Sequence, residues 1–301
     1  MKERQIFMIL PCKIRDAILK ENLSISKLQE IRLRVGHPII LCYQGKEKVL
    51  SHQVTEKEVR ETLDYAGNYS LYAYENELRQ GFLTVEGGHR VGMSGQVLME
   101  NGRVKNLKYI TSLNIRISHE ILHCADKLFP YITENGRLFH TMIISPPRCG
   151  KTTILRDLIR QISDGNSWLS GSTVGVVDER SELAGCYQGI PQNHIGMRTD
   201  VLDACPKAEG MLMLIRSMSP QVIAVDEIGA EKDIRAIQYA MHCGCKMLAT
   251  VHGESLNEIE KKPWLEQLIQ EQCFERYVVL ENRTSVGDVR NIYDKFGRIL
   301  C

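Results

Sequence analysis

The chain has 301 residues, with 38 Lys and Arg against 37 Asp and Glu and a formal net charge of +1. Hydrophobic residues make up 43% and charged residues 25%, which excludes a disordered chain, since that would lack the apolar surface to offset its entropy. The balanced charge argues against a broadly basic nucleic-acid binder; no apolar run reaches the roughly 18 residues of a spanning helix, and Ile6 to Leu10 is too short for a signal peptide, so a cytoplasmic location is expected.

The length predicts about two domains. The ten cysteines are scattered, with no Cys-x-x-Cys pair, and are expected to be reduced thiols. His242-Cys243-Gly244-Cys245 has metal-binding atoms but no second half with ligand spacing. Ile6 to Leu19 is apolar at near-helical spacing but interrupted by Pro11, and reads as a buried N-terminal element. Glu30 to Val35 alternates polar and apolar, as a half-buried strand does, and Ile39 to Tyr43 returns after a Gly36-His37-Pro38 break. Thr55 is a predicted N-cap for a helix to Tyr65, with Glu58 completing a capping box. A second helix is predicted over Ser70 to Glu77, then strands over Gly81–Val85, His89–Met99 and Val104–Ile117. These elements define an α+β N-terminal domain over 1–135.

From Arg137 the rhythm becomes strand, helix, strand, helix. Apolar strand cores lie at Met142–Ile144, Val174–Val177, Val222–Val225 and Met247–Val251. Helix-length segments Thr152–Ser163, Pro206–Met218 and Glu231–Cys243 separate them. Unbroken apolar runs suit parallel strands buried on both faces. The fold class predicted for 136–301 is therefore a three-layer α/β domain with a mostly parallel sheet, which places ligands at the strands' carboxyl ends.

Chemical residues cluster at those ends. The first strand runs into Ser145-Pro146-Pro147-Arg148-Cys149-Gly150-Lys151-Thr152-Thr153, a near match to the phosphate-binding loop G-x-x-x-x-G-K-[ST]. In that reading Gly150 lets backbone N–H groups point at phosphate oxygens, Lys151 brings a positive charge to them, and the Thr152 hydroxyl ligates Mg²⁺. Ser145 replaces the first glycine and is expected to be strained at a positive φ. The third strand ends in Asp226-Glu227, the pattern of a Walker B strand: Asp226 supports the metal and Glu227 orients the attacking water. The second ends in Asp178-Glu179-Arg180-Ser181-Glu182, whose carboxylates could approach the same site, and the fourth in Thr250-Val251-His252-Gly253.

In this order, the phosphate loop, the acidic box from Asp178 to Glu182, the Walker B strand led by Arg216 to Pro220 and the Thr-Val-His-Gly box resemble the type II and type IV secretion traffic ATPases, which are RecA/AAA-like. Pro-Pro-Arg-Cys-Gly-Lys-Thr-Thr, Val-Val-Asp-Glu-Arg-Ser-Glu, Val-Asp-Glu-Ile-Gly, Glu30 to Gly36 and Gly87 to Gly92 are similar to the stage III sporulation protein AA family of spore-forming bacteria. The resemblance spans about Leu28 to Tyr293. It implies a Mg²⁺-dependent ATP hydrolase that forms a hexameric ring, works at the inner face of a membrane, and energises channel or secretion-complex proteins linking mother cell and forespore. It also implies Glu179 as a second acidic ligand, His252 as a phosphate sensor, and Arg90 and Arg116 as interface arginines. The Asp-Glu of the third strand departs from the Gly-Glu common in secretion ATPases. Two other readings stay open: a nucleotide-gated assembly scaffold with negligible turnover, and a nucleic-acid-dependent ATPase, against which the near-neutral charge argues.

Overall fold

The computed structural model describes residues 5–70, 75–281 and 287–301. It divides into two compact units, one made of Met1–His119 with Gly185–Gln192 and the other of Glu120–Ala184 with Asn193–Cys301.

The first unit contains strands β1 (Leu28–Arg34), β2 (Pro38–Tyr43), β3 (Lys46–Gln53), β4 (Phe82–Val85), β5 (His89–Glu100) and β6 (Arg103–Arg116), with helices α1 (Cys12–Leu19), α2 (Glu56–Ala66) and α3 (Glu75–Gln80). The strands form one antiparallel sheet in the order β3-β2-β1-β6-β5-β4. Register follows the period-2 pattern: Ile31 pairs with Ile115 and Leu33 with Leu113, so these apolar residues share one face. Ile14 and Ile18 of α1 and Val59 and Leu63 of α2 join them in a single core. The predicted cap of α2 is present. Glu58 donates its N–H to Thr55 Oγ1 at 3.3 Å, and Thr55 returns its N–H to Glu58 Oε2 at 2.8 Å. Leu10 ends a short 3₁₀ turn over Ile6–Ile9 and Pro11 stands at the N-cap of α1, so the N-terminal element is buried as expected but broken into two pieces. Of the helix predicted over Ser70 to Glu77, residues 71–74 lie outside the described residues.

Gly185–Gln192 belongs to this unit although its flanks belong to the other. Gln192 Oε1 accepts the Gly87 N–H at 3.0 Å, and the Tyr187 hydroxyl is hydrogen-bonded to Asn68.

The second unit begins at Glu120, so the predicted boundary at 135/136 falls inside it. The reason is polar anchoring: Asp157 Oδ2 accepts the Ala125 N–H at 2.9 Å, and Asp126 accepts from Gln161 at 2.7 Å. Here lie α4 (Phe129–Ile132), the small ribbon β7 (Thr133–Glu134) with β8 (Arg137–Leu138), β9 (Thr141–Ser145), α5 (Lys151–Asp164), β10 (Val174–Asp178), β11 (Thr199–Asp203), α6 (Lys207–Ser217), β12 (Val222–Val225), α7 (Glu231–His242) and β13 (Lys246–His252). The chain closes with α8 (Leu256–Ile259), α9 (Leu265–Gln270), β14 (Arg276–Glu281) and β15 (Asp288–Asp294). Seven strands form a sheet in the order β11-β10-β12-β13-β9-β14-β15, parallel throughout except for the β14–β15 pair. Every residue of β9, β10 and β12 is buried, as a sheet covered on both faces requires. α6, α7 and α9 contribute Met211, Leu214, Ile234, Ile237 and Leu268 to the core with Met142, Ile144 and Val225. α5 packs on β9, β10 and β13 through its own buried row, Ile154, Leu155, Leu158, Ile159 and Ile162. Each such buried aliphatic side chain stabilises the fold by about 1.5–3 kcal/mol. Among the described residues no helix is long and apolar enough to cross a membrane.

His140, just before β9, carries a pH dependence. Its Nδ1 accepts the Met247 N–H at 3.1 Å, its own N–H goes to Glu275 at 2.9 Å, and its carbonyl accepts from Glu275 and Arg276. Burial, then the charge of Lys246, lowers its pKa to about 4. A depressed histidine adds stability that is complete above the unfolded pKa, here about 6.5, and is lost as pH falls toward the folded value. Between pH 6.5 and 5 the chain is expected to lose on the order of 2 kcal/mol through this group. Asn keeps the acceptor without the titration. Urea unfolding at the two pH values should therefore show a flatter response for His140→Asn; an unchanged response would remove His140 from the explanation.

Candidate functional site

The carboxyl ends of β9, β10, β12 and β13 bring together side chains distant in sequence, all within the second unit. Ser145 closes β9 opposite His252 of β13. It is extended and fully buried, so the expected positive-φ strain at this position is not found. The left-handed residues of the loop are Arg148 (φ 65°) and Gly150 (φ 89°). Glycine adopts that region freely, whereas an arginine there costs about 1 kcal/mol or more. The loop is held by the Ser145 hydroxyl on the Pro146 carbonyl at 2.8 Å, by the Cys149 thiol near the Pro147 carbonyl at 3.6 Å, and by the Gly287 N–H on the Cys149 carbonyl at 3.0 Å.

α5 starts on Gly150 without a side-chain cap. The first N–H groups of a helix have no intrahelical acceptor, so those of Lys151, Thr152 and Thr153 are left to a partner from outside the helix. With the positive end of the helix dipole, that is an anion-binding arrangement.

Lys151, only 8% exposed, donates to Glu227 Oε1 at 2.5 Å and lies 3.2 Å from His252 Nε2. His252 Nε2 is 2.9 Å from the same Glu227 oxygen, while Arg180 donates to Oε2 at 3.0 Å. Glu227 itself has φ 58°, and its N–H is fixed by the Thr250 hydroxyl at 2.9 Å. Burial pushes the Glu227 carboxyl up, but Lys151, His252 and Arg180 outweigh it and hold it below its ordinary value. Asp226 accepts from Thr152 Oγ1 at 2.7 Å and from the Thr250 hydroxyl. Its pKa is raised, because burial exceeds the help of those hydroxyls and Lys151.

This donor set fits a nucleotide with Mg²⁺. Mg²⁺ keeps several waters and takes one or two protein ligands beside phosphate oxygens, and Thr152 and Asp226 are adjacent oxygen donors. No group of three or more His, Cys, Asp or Glu able to hold a metal alone occurs among the described residues.

The acidic box is put to other uses. Asp178, 2% exposed, accepts the N–H groups of Glu182, Leu183 and Ala184 at 2.8, 3.0 and 2.8 Å. Burial pushes its pKa up to about 6 against the pull of those bonds. Arg156 of α5 donates to the carbonyls of Leu183 and Glu182 at 2.7 and 2.5 Å. Glu179 is ion-paired with Lys207, so a role on a metal would need that pair to open. Asp178→Ala, which orphans three N–H groups, is expected to lower stability by roughly 3 kcal/mol in urea unfolding; a loss below about 1 kcal/mol would show that the loop stands without it.

Two residues given no role from sequence, Arg180 and Thr250, are part of the cluster. Thr250 sits in a buried strand where a hydroxyl needs a partner, which is the only signal it carried. In the first unit, Arg90 and Arg116 face each other on β5 and β6. Arg90 lies over the Phe82 ring at 4.1 Å, and Arg116 is 3.9 Å from Glu30.

The family model described as "Sporulation stage III, protein AA" matches residues 1–300. Stage III sporulation protein AA of Bacillus subtilis (strain 168) is 44% identical over 297 residues, which cover 98% of this chain and 96% of that one. The solved structure of the Yersinia pseudotuberculosis ATPase DotB matches with a TM-score of 0.61 at 14% identity, covering 95% of this chain and 80% of that one. The pilus retraction motor PilT with bound ADP matches with a TM-score of 0.58 at 15% identity, over 93% and 80%. At these identities the two structures establish the likeness of fold.

Proposed function

The chain belongs to the sporulation stage III protein AA family, and on that premise we propose that it is a Mg²⁺-dependent ATP hydrolase of the secretion-motor type. The observation that carries the proposal is the convergence of Lys151, Thr152, Asp226, Glu227 and His252 beside an uncapped helix start. In this reading the loop from Ser145 to Thr153 cradles the phosphates of ATP, and Lys151 turns from Glu227 to bind them. Thr152 and Asp226 hold Mg²⁺, which when bound neutralises charge on the phosphate oxygens. Glu227 orients a water molecule and accepts its proton at a carboxylate oxygen, and His252 reports on the terminal phosphate. Glu179 is a second acidic ligand once freed from Lys207.

A homo-hexameric ring, with Arg90 and Arg116 acting across subunit interfaces, docked peripherally on channel or secretion-complex proteins of the sporulation system, completes the proposal. One observation favours the scaffold reading: both carboxylate oxygens of Glu227 are already taken by basic groups in this structure. Phosphate release measured with Mg²⁺-ATP, together with sizing in ATP and in a non-hydrolysable analogue, separates the two. Turnover supports the motor, whereas assembly with no phosphate release supports the scaffold. DNA or RNA is expected to leave turnover unchanged; a large stimulation would favour the nucleic-acid-dependent alternative.

A further inference from the structure

Glu227 presents two oxygens with different neighbours. Oε1 takes Lys151 at 2.5 Å and His252 at 2.9 Å, whereas Oε2 takes Arg180 at 3.0 Å. If Lys151 turns to bound phosphate, as proposed above, Oε1 is left with a histidine that is charged only when protonated. The carboxylate would then stand as a negative charge beside an incoming anion, and like charges at short range repel strongly in a partly buried site. Arg180 is the group placed to prevent this, because a guanidinium stays charged at any working pH. Its side chain is 64% exposed, and the chain next to it is pinned by the bonds of Asp178 to Glu182, Leu183 and Ala184.

We propose that Arg180 is a positioning residue that neutralises Glu227 when the site is loaded, and that it thereby favours a nucleoside triphosphate over a diphosphate. The inference rests on the nucleotide-binding reading. A diphosphate lacks the terminal group nearest Glu227, so it meets less of the repulsion that Arg180 removes.

The test is equilibrium binding, with Mg²⁺, of ADP and of a non-hydrolysable ATP analogue to the full chain. For a largely exposed pair, Arg180→Ala should weaken the analogue about fivefold and ADP less than about twofold. Arg180→Lys, which keeps the charge, should recover most of the loss. In a Glu227→Gln background, which has no charge to neutralise, Arg180→Ala should change neither affinity. Equal losses for both nucleotides, or the same loss with and without the Glu227 charge, would overturn the proposal. If the parent chain bound neither nucleotide, the nucleotide-binding reading itself would fail and this inference with it.

Discussion

Lys151→Ala is expected to weaken binding of Mg²⁺-ATP at least about 100-fold, because on the proposed reading it removes the charged donor nearest the phosphates, and such charge-assisted bonds are worth roughly 1.5–3 kcal/mol each. The substitution also leaves Glu227 with Arg180 and His252 as its remaining described neighbours of basic type, so the site becomes less positive as well as less well bonded. The fold should survive. Lys151 belongs to neither apolar core cluster, and the apolar row of α5 is untouched. Titration with a fluorescent ATP analogue, alongside a thermal melt, reads both effects. Parent-like affinity in a folded variant would show that the loop does not hold phosphate.

Glu227→Gln should separate binding from chemistry. The amide can still accept from Lys151 but cannot take a proton from water. General-base contributions are typically 10²–10⁴-fold, so turnover is expected to fall by about that factor. Binding should persist or tighten, since on the proposed reading a negative charge beside the phosphates is gone. Turnover close to the parent's would move the base to another residue, with Glu179 the next candidate. Measuring phosphate release and nucleotide affinity on the same preparation distinguishes these outcomes.

Much of this arrangement is legible from residue order, and three of the strands it does not reveal share one cause. The buried parallel strands β9, β10, β12 and β13 are continuous apolar runs, and each run matches the observed ends to within about a residue, the usual uncertainty of boundaries. β3, β11 and β15 carry no such run. All three are sheet edges, where solvent on one side permits the polar residues of Lys46–Gln53, Thr199–Asp203 and Asp288–Asp294, so hydropathy gives them no contrast with loops. β14 is different, because its Tyr277 to Leu280 run is as apolar as its neighbours.

The site divides in the same way. That Lys151, Thr152, Asp226, Glu227 and His252 come together is legible because each follows a buried apolar strand within a recognisable motif. The part of Arg180 and Thr250 is not, because it depends on side-chain reach from β10 and β13, which no spacing rule encodes. The fate of the acidic box shows the limit most sharply. Three carboxylates in five residues suggested a shared metal site, yet Asp178 is spent on three backbone N–H groups and Glu179 on Lys207. Ser145 carried the opposite error: the strain expected of it belongs to Arg148, three residues later.

On the proposed reading, the strand-end cluster of the second unit is where ATP and Mg²⁺ bind. A structure of the chain with Mg²⁺ and a non-hydrolysable ATP analogue tests it most directly. Phosphates are expected against the loop from Ser145 to Thr153, with the Lys151–Glu227 ion pair opened. Nucleotide bound elsewhere, or that pair still closed with nucleotide present, would contradict it.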